Sequence, residues 1–222
     1  MKPPEVLAPE KRSQILEGAA RVFAEDGYEG ASMARIAAVA GVSKGTLYNH
    51  FESKADLFSR YVEGTCERNL RQMFSLEAER GDPEAMLRAI GERMVALMLS
   101  EAGRTIYRVV VAEAAKFPAL ARHFYEAGPV RAMAHLADLL AAETKAGRLA
   151  VPDPDFAAEQ FFGLCQTRVV MRSKLMLELE PEPADVARVV EGAVAMFLAA
   201  YAPQAGAVRR AGRSRTAGTA RG

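Results

Sequence analysis

The sequence predicts an all-helical protein, and three observations carry that expectation. Apolar residues recur at intervals of three and four along the chain. No segment shows the apolar/polar alternation of a half-buried strand. Helix starts are spelled out repeatedly, as a capping box at Ser53-Lys54-Ala55-Asp56 and as Asp-Pro at Asp82-Pro83 and Asp153-Pro154.

Taken in order, the first helix carries Ile15, Ala19, Val22 and Phe23 on one face. Gly27 is its expected stop, because glycine accepts the left-handed conformation past a helix end. Two short helices follow over 32–40 and 44–51, joined by Gly41-Val42-Ser43. The capping box then opens a long helix over 56–80, with Leu57, Phe58, Tyr61, Val62, Cys66, Leu70, Met73 and Phe74 as its apolar set and Gly81 at its end. Asp82 caps the next helix, and Pro83 sits where its missing N–H costs nothing.

Helices are expected over 86–99 and 106–117. Pro118 opens another, which Gly128-Pro129 breaks or kinks, and the following one reaches Gly147. Asp153-Pro154 launches a helix to about Leu179, and Pro181 and Pro183 separate it from the last, 184–201. These signals give about nine helices. In the last helix, Val186, Val189, Val190, Ala193, Val194, Phe197 and Leu198 cover more than one stripe. That is too much apolar face for a helix covered on one side, so it is buried either within the monomer or, with helix 155–179, in a dimer interface. Residues 204–222, rich in Ala, Gly, Arg, Ser and Thr, cannot build a core and are expected to be disordered.

Composition narrows the function. Half of the 222 residues are apolar and 26% are charged, so a real core is available. No apolar run approaches the ~18–20 residues a membrane helix needs. The opening MKPPEVLAPEKR lacks the apolar stretch of a signal peptide, and with only Cys66 and Cys165 no disulfide framework or four-cysteine zinc site is available. A reducing cytoplasm is the expected home. Three histidines leave little room for a histidine-rich metal centre, and neither metal nor cofactor is expected. There is no P-loop, G-x-G-x-x-G, G-x-S-x-G or H-E-x-x-H, and carboxylates are scattered, so an enzyme is not expected. The net charge of +1 hides an asymmetry: the five arginines of 204–222, which has no acid, leave −4 for residues 1–203. Nucleic-acid binding would therefore need a local patch.

Such a patch is legible. Ala37, Gly41 and Leu47 form A-x-x-x-G-x-x-x-x-x-L, the spacing of a helix-turn-helix. A small residue at 37 lets the two short helices pack closely, Gly41 supplies the turn and Leu47 points into the core. Ser43 caps the second helix and leaves its first amides facing phosphate or base edges. That helix offers Lys44, Thr46, Tyr48, Asn49 and His50, side chains suited to a nucleic-acid groove; His50 better supports the aromatic cluster around Phe51.

The run ILEGAARVFAEDGYEGASMARIAAVAGVSKGTLYNHFESKADLF, residues 15–58, resembles the DNA-binding region of the tetracycline-repressor (TetR) family. RVVVAEAAKFPALARHFYEAGPVRAMAHLADLL is similar to the branch that includes efflux-pump regulators. The resemblance implies a homodimeric repressor that binds a palindromic operator. It divides the chain into a DNA-binding domain (1–55), a ligand-binding and dimerisation domain (56–203) and the Arg-rich tail (204–222). It also implies that Ser32 and Lys54 contact phosphate, that Arg35 reaches backbone or a base, and that Ser43, Lys44, Thr46, Tyr48 and Asn49 form the groove-facing stretch.

For the small-molecule effector, Met94, Met98, Phe117, Phe124, Phe161 and Cys165, with Phe162 and Met171, are candidate walls of an apolar pocket, or else plain core. Arg108, with Glu113, His123, Gln166 and Arg168, offers candidate polar anchors. Ligand entry is expected to tilt the long helix 56–80. The alternative reading is a helical protein-interaction module that has lost operator binding; exposed polar residues on the second short helix argue against it, since docking helices need apolar anchors.

Overall fold

In the computed structural model, which describes residues 9–76 and 81–203, every regular element is helical. The tail 204–222 and the expected last turn of the long helix at 77–80 lie outside the described residues. The described residues form eleven α-helices: α1 (Pro9–Gly30), α2 (Met33–Val39), α3 (Lys44–Tyr48), α4 (Lys54–Met73), α5 (Pro83–Leu99), α6 (Glu101–Glu113), α7 (Pro118–Tyr125), α8 (Arg131–Lys145), α9 (Pro154–Cys165), α10 (Val169–Lys174) and α11 (Pro183–Tyr201).

The caps read in the sequence form as hydrogen bonds. Ser53 Oγ accepts the Asp56 N–H at 3.1 Å, and the Asp56 carboxylate accepts the Glu52 N–H at 3.2 Å. Asp82 accepts the N–H groups of Glu84 and Ala85, and Asp153 accepts that of Phe156. Each side chain satisfies donors that the first turn of a helix would otherwise leave orphaned.

Three breaks differ from expectation, each for a local reason. Gly27 bends α1 instead of ending it, with φ 71° and ψ −178°, and the helix continues to Gly30. Gly128-Pro129 neither breaks nor sharply separates its neighbours: Glu126–Val130 is a π-helical turn that joins α7 to α8. Its wider winding accommodates a residue without an N–H. The single helix expected from Asp153-Pro154 to Leu179 is two. After Cys165 the Gln166 N–H closes back on the Gly163 carbonyl at 3.1 Å, and the Thr167 hydroxyl takes the Leu164 carbonyl at 2.9 Å. Arg168 then adopts φ 51°, and α10 begins at Val169.

Two hydrophobic clusters form. One joins α1–α3 and the first half of α4 to α6, α7 and the π turn, and includes Ile15, Phe23, Leu47, Phe58, Val109 and Leu120. Its centre is aromatic: Phe23 meets Phe58 edge-on at 4.9 Å between centroids, and Tyr28 meets Phe58 at 5.5 Å. Such pairs add about 0.5–1.5 kcal/mol beyond the burial itself. The other cluster joins Met73 of α4 to α5, α8, α9, α10 and α11, around Leu87, Ile90, Phe161 and Phe197. Val189, Val190, Ala193, Val194 and Phe197 are all buried there, which settles their place within the monomer.

The closest backbone approach in the first cluster is at Gly18. A Cβ at that position would lie 2.7 Å from Ala40 Cβ and 2.9 Å from Ala40 Cα, so α1 can reach the end of α2 only through glycine. Gly18→Val is expected to cost about 1–3 kcal/mol by overpacking, read as a lower midpoint in urea unfolding at unchanged slope.

Candidate DNA-binding helix and internal cavity

Helix α2 begins at Ser32, whose side chain accepts the Arg35 N–H at 3.2 Å. The chain reverses at Gly41, which has φ 65°, a conformation that favours glycine. Gln14 of α1 holds the reversal by donating to the Ala40 carbonyl at 2.7 Å. Helix α3 begins at Ser43, whose Oγ accepts the Thr46 N–H at 3.0 Å and lies 2.8 Å from the Thr46 hydroxyl. Leu47 is fully buried and fixes which face of α3 turns outward. That outward face carries Lys44, Gly45, Tyr48 and Asn49, all exposed; Thr46 and His50 are half-buried. A Cβ added at Gly45 would meet nothing nearer than Ser43 Oγ at 3.8 Å, so no protein atom requires glycine there.

Two cations expected on this surface are engaged by the protein itself. The Lys54 ammonium donates to the carbonyls of Tyr28, Glu29 and Ala31 at 2.6, 3.2 and 2.9 Å, and stands 4.7 Å from the Tyr28 ring centroid. It thus neutralises the carbonyl end of α1, where the helix dipole favours a cation. As it stands, Lys54 is a clamp between α4 and α1 and not a free phosphate contact. Arg35 folds back onto α1, pairing with Glu25 at 2.7 Å and Asp26 at 2.6 Å. Among the described residues Lys44 makes no ion pair.

An internal cavity of about 270 Å³ lies among α4–α10 and the π turn. Of the residues proposed for such a pocket, Met94, Met98, Arg108, Phe124, Phe162 and Gln166 line it. Phe161 and Cys165 do not: they sit one residue round α9, in the core behind the wall, against Gly91 of α5. The cavity side of α9 is the next i, i+4 pair, Phe162 and Gln166. Phe117 is also elsewhere. It meets Tyr28 at 5.4 Å, next to the Lys116–Glu29 ion pair at 2.7 Å. Glu113, His123, Arg168 and Met171 are likewise away from the wall; His123 contacts the Ser59 carbonyl and Arg168 pairs with Asp185.

Sequence reasoning missed Ser173 and Lys174 as lining residues, because α10 was read as a continuation of α9 and its register was therefore wrong; it also missed Tyr107 of α6. The Lys174 ammonium donates to Gln166 Oε1 at 2.9 Å and stands 4.4 Å from the Tyr107 ring centroid. Burial holds its pKa below the usual lysine value. Two contacts tie α6, the cavity's wall, to α1: Arg108 donates to the Ala24 carbonyl at 3.2 Å, and Lys116, just past its end, pairs with Glu29. No group of three or more potential metal ligands occurs among the described residues, and no described helix is long and apolar enough to cross a membrane.

A capped short helix presented by a tight turn, above a helical body with a cavity, defines the class of helix-turn-helix regulators. The sequence model of the N-terminal region of the tetR family of bacterial regulatory proteins matches residues 15–61, and that of the AefR-like transcriptional repressor C-terminal domain matches residues 85–203. The chain belongs to the TetR family. It is 34% identical over 113 residues to the HTH-type transcriptional regulator AcrR of Shigella flexneri, covering 50% of this chain and 52% of that protein. It is 51% identical over 75 residues to the HTH-type transcriptional repressor AcnR of Corynebacterium glutamicum, covering 34% of this chain and 38% of that protein. The chain thus matches about half or less of the length of these curated relatives. Solved structures agree over more of the chain. A TetR-family regulator from Mesorhizobium loti superposes with a TM-score of 0.81 at 29% identity, and the flavonoid-responsive regulator FrrA with 0.73 at 31% identity; each match covers 89% of this chain and 100% of the other.

Lys54→Ala is expected to lower unfolding stability by about 1.5–3 kcal/mol, since it removes a charged donor from three carbonyls. A purely DNA-facing lysine would leave the urea midpoint unchanged. Burial also pushes the Cys165 thiol up to about 12 and raises that of Cys66. Both thiols therefore stay protonated at pH 8, and neither is expected to react with a disulfide reagent until urea unfolds the chain.

Proposed function

We propose that the chain is a dimeric transcriptional repressor that binds a palindromic operator through α3 and is released from it by a small molecule in the internal cavity. The observation that carries this reading is the outward face of α3, where Lys44, Tyr48 and Asn49 stand exposed around a glycine that the fold itself does not need. Gly45 costs about 1 kcal/mol of helix propensity against alanine. Close approach of a DNA backbone supplies the reason to retain it. Arg35, held by two carboxylates at the surface, is within the same two-helix unit and can exchange those partners for phosphate.

Dimerisation is supported by the outer faces of α9 and α11. Gly163 and Gly192 are helix-interior glycines with nothing within 4 Å of an added Cβ, and Met196 is 61% exposed beside them on α11. A second copy seated there places two α3 helices for successive major grooves, roughly 34–36 Å apart. The link from cavity to groove runs through α4, which lines the cavity at its far end and packs the DNA-binding unit at its near end.

Three measurements test the reading. In gel-shift titration, Lys44→Ala is expected to weaken binding to all duplexes alike and reduce the salt slope by about one, whereas Asn49→Ala relaxes preference at one base pair by ~1–3 kcal/mol. Gly45→Leu is expected to keep its thermal stability and lose operator binding; retained binding excludes α3 as the groove-facing helix. Gly192→Glu is expected to sediment as a folded monomer with weakened operator affinity, and a monomeric parent protein at micromolar concentration refutes the dimer.

A further inference from the structure

The cavity's wall is apolar over most of its surface, with Met73, Met94, Met98, Phe124, Met133 and Phe162. Its charged groups are all of one sign. Arg104, Arg108 and Lys174 line it, with Thr65, Asn69, Gln166 and Ser173, and no Asp or Glu does. Arg104 and Arg108 are already engaged with main-chain carbonyls, those of Leu99 and Leu179 and that of Ala24. Lys174 is different. Its ammonium is half-buried, and among the described residues it has only the Gln166 amide oxygen and the Tyr107 ring as partners, with no carboxylate. Next to it, the Ser173 hydroxyl is buried without any hydrogen-bond partner. A cation drawn out of water and left without a counter-charge is unfavourable, and so is an orphaned hydroxyl. An anion at this end of the cavity relieves the first and offers an acceptor to the second.

We infer that the cavity takes a small amphipathic carboxylic acid, with its carboxylate beside Lys174, Gln166 and Ser173 and its apolar body among the methionines and phenylalanines. The inference rests on the proposed effector role of the cavity for its regulatory meaning, but the binding preference does not. The volume, about 270 Å³, lies at the small end of ligand pockets, which run ~300–1,000 Å³, so the acid is a short one. Methionine walls adapt to alkyl and aromatic bodies alike. A cationic ligand meets three like charges and no carboxylate.

The experiment is calorimetric titration of the full chain with two matched pairs: octanoate against 1-octanol, and 2-naphthoate against 2-naphthylmethanol. In at least one pair the acid is expected to bind about tenfold or more tightly than the alcohol, the gain of a charge-assisted hydrogen bond in a partly dry site. Which pair discriminates identifies an alkyl or an aromatic body. Lys174→Met is expected to bring the ratio to about one while the alcohol still binds, and Lys174→Arg to preserve the preference. Equal affinity for acid and alcohol in both pairs, or no acid binding tighter than about 1 mM, overturns the inference. Operator release measured on the same samples keeps the two readings apart. An acid that binds with the expected preference but leaves operator affinity unchanged removes the effector role and retains the ligand class; an alcohol that releases the operator better than its acid does the reverse.

Discussion

The arrangement of the molecule depends on one helix being packed into two cores. Leu57, Phe58, Tyr61, Val62 and Cys66 of α4 belong to the cluster that holds α1–α3, and Met73 of the same helix belongs to the cluster of α5 and α8–α11. Twenty residues at 1.5 Å each give a rod of about 30 Å, with α3 near one end and the cavity at the other. Close-packed interiors do not deform continuously, so a shift of α4 against one cluster must be taken up by the other. The Lys54 clamp and the Ser53 cap fix the near end of the rod to α1. The π turn presses on its middle, where a Cβ at Gly128 would come to 3.0 Å of Cys66 Sγ.

The electrostatics of the α2–α3 surface follow from the same economy. A chain with −4 over residues 1–203 cannot attract DNA through its overall field. It places its cations locally, and two of them serve the fold: Lys54 stabilises a helix end and Arg35 bridges to two acids of α1. Arg35 is exposed and its pairs are of the kind worth ~0–1 kcal/mol, so exchange for phosphate costs little. Lys54 is tied by three carbonyls beneath an aromatic ring, and moving it would uncap α1. Similar charge on two residues therefore carries different meanings, set by partners that only the folded arrangement reveals.

Local signals made most of the fold legible. Capping side chains at Ser43, Ser53, Asp82 and Asp153 accept the amides their spacing implies, because an N-cap is a contact over two or three residues. Leu47 and Gly41 hold the places their motif requires for the same reason. What failed was register over distance. The break at Gln166-Thr167-Arg168 has no Gly or Pro to announce it; it is made by a threonine hydroxyl and a left-handed arginine. With the break unseen, Met171 stood as the pocket candidate of this stretch, where Ser173 and Lys174 line the cavity. On α9 the sequence offered Phe161 and Cys165 beside Phe162 and Gln166, and only the second pair lines the cavity, since a helix buried over a wide arc carries apolar residues on more than one face. The clamp at Lys54 was not legible because its partners are main-chain atoms 23–26 residues away, which no side-chain pattern encodes.

Lys174 also sits where an occupied cavity has consequences elsewhere. Its ammonium rests on Tyr107 of α6, and the neighbouring Arg108 holds the Ala24 carbonyl of α1. A bound carboxylate competes with the Tyr107 ring for that ammonium, and an ion pair in a partly dry site outweighs a cation–π contact worth about 0.5–2 kcal/mol. Loss of that contact loosens α6 from α10 at the residue next to the one that fastens α6 to α1. A ligand alters an equilibrium only by its differential affinity for the two states. A ligand that merely fills apolar space acts through the volume of the wall. One that also recruits Lys174 acts on a contact between two named helices, and the ~1–3 kcal/mol typical of allosteric coupling is of the size that exchanging one such contact supplies.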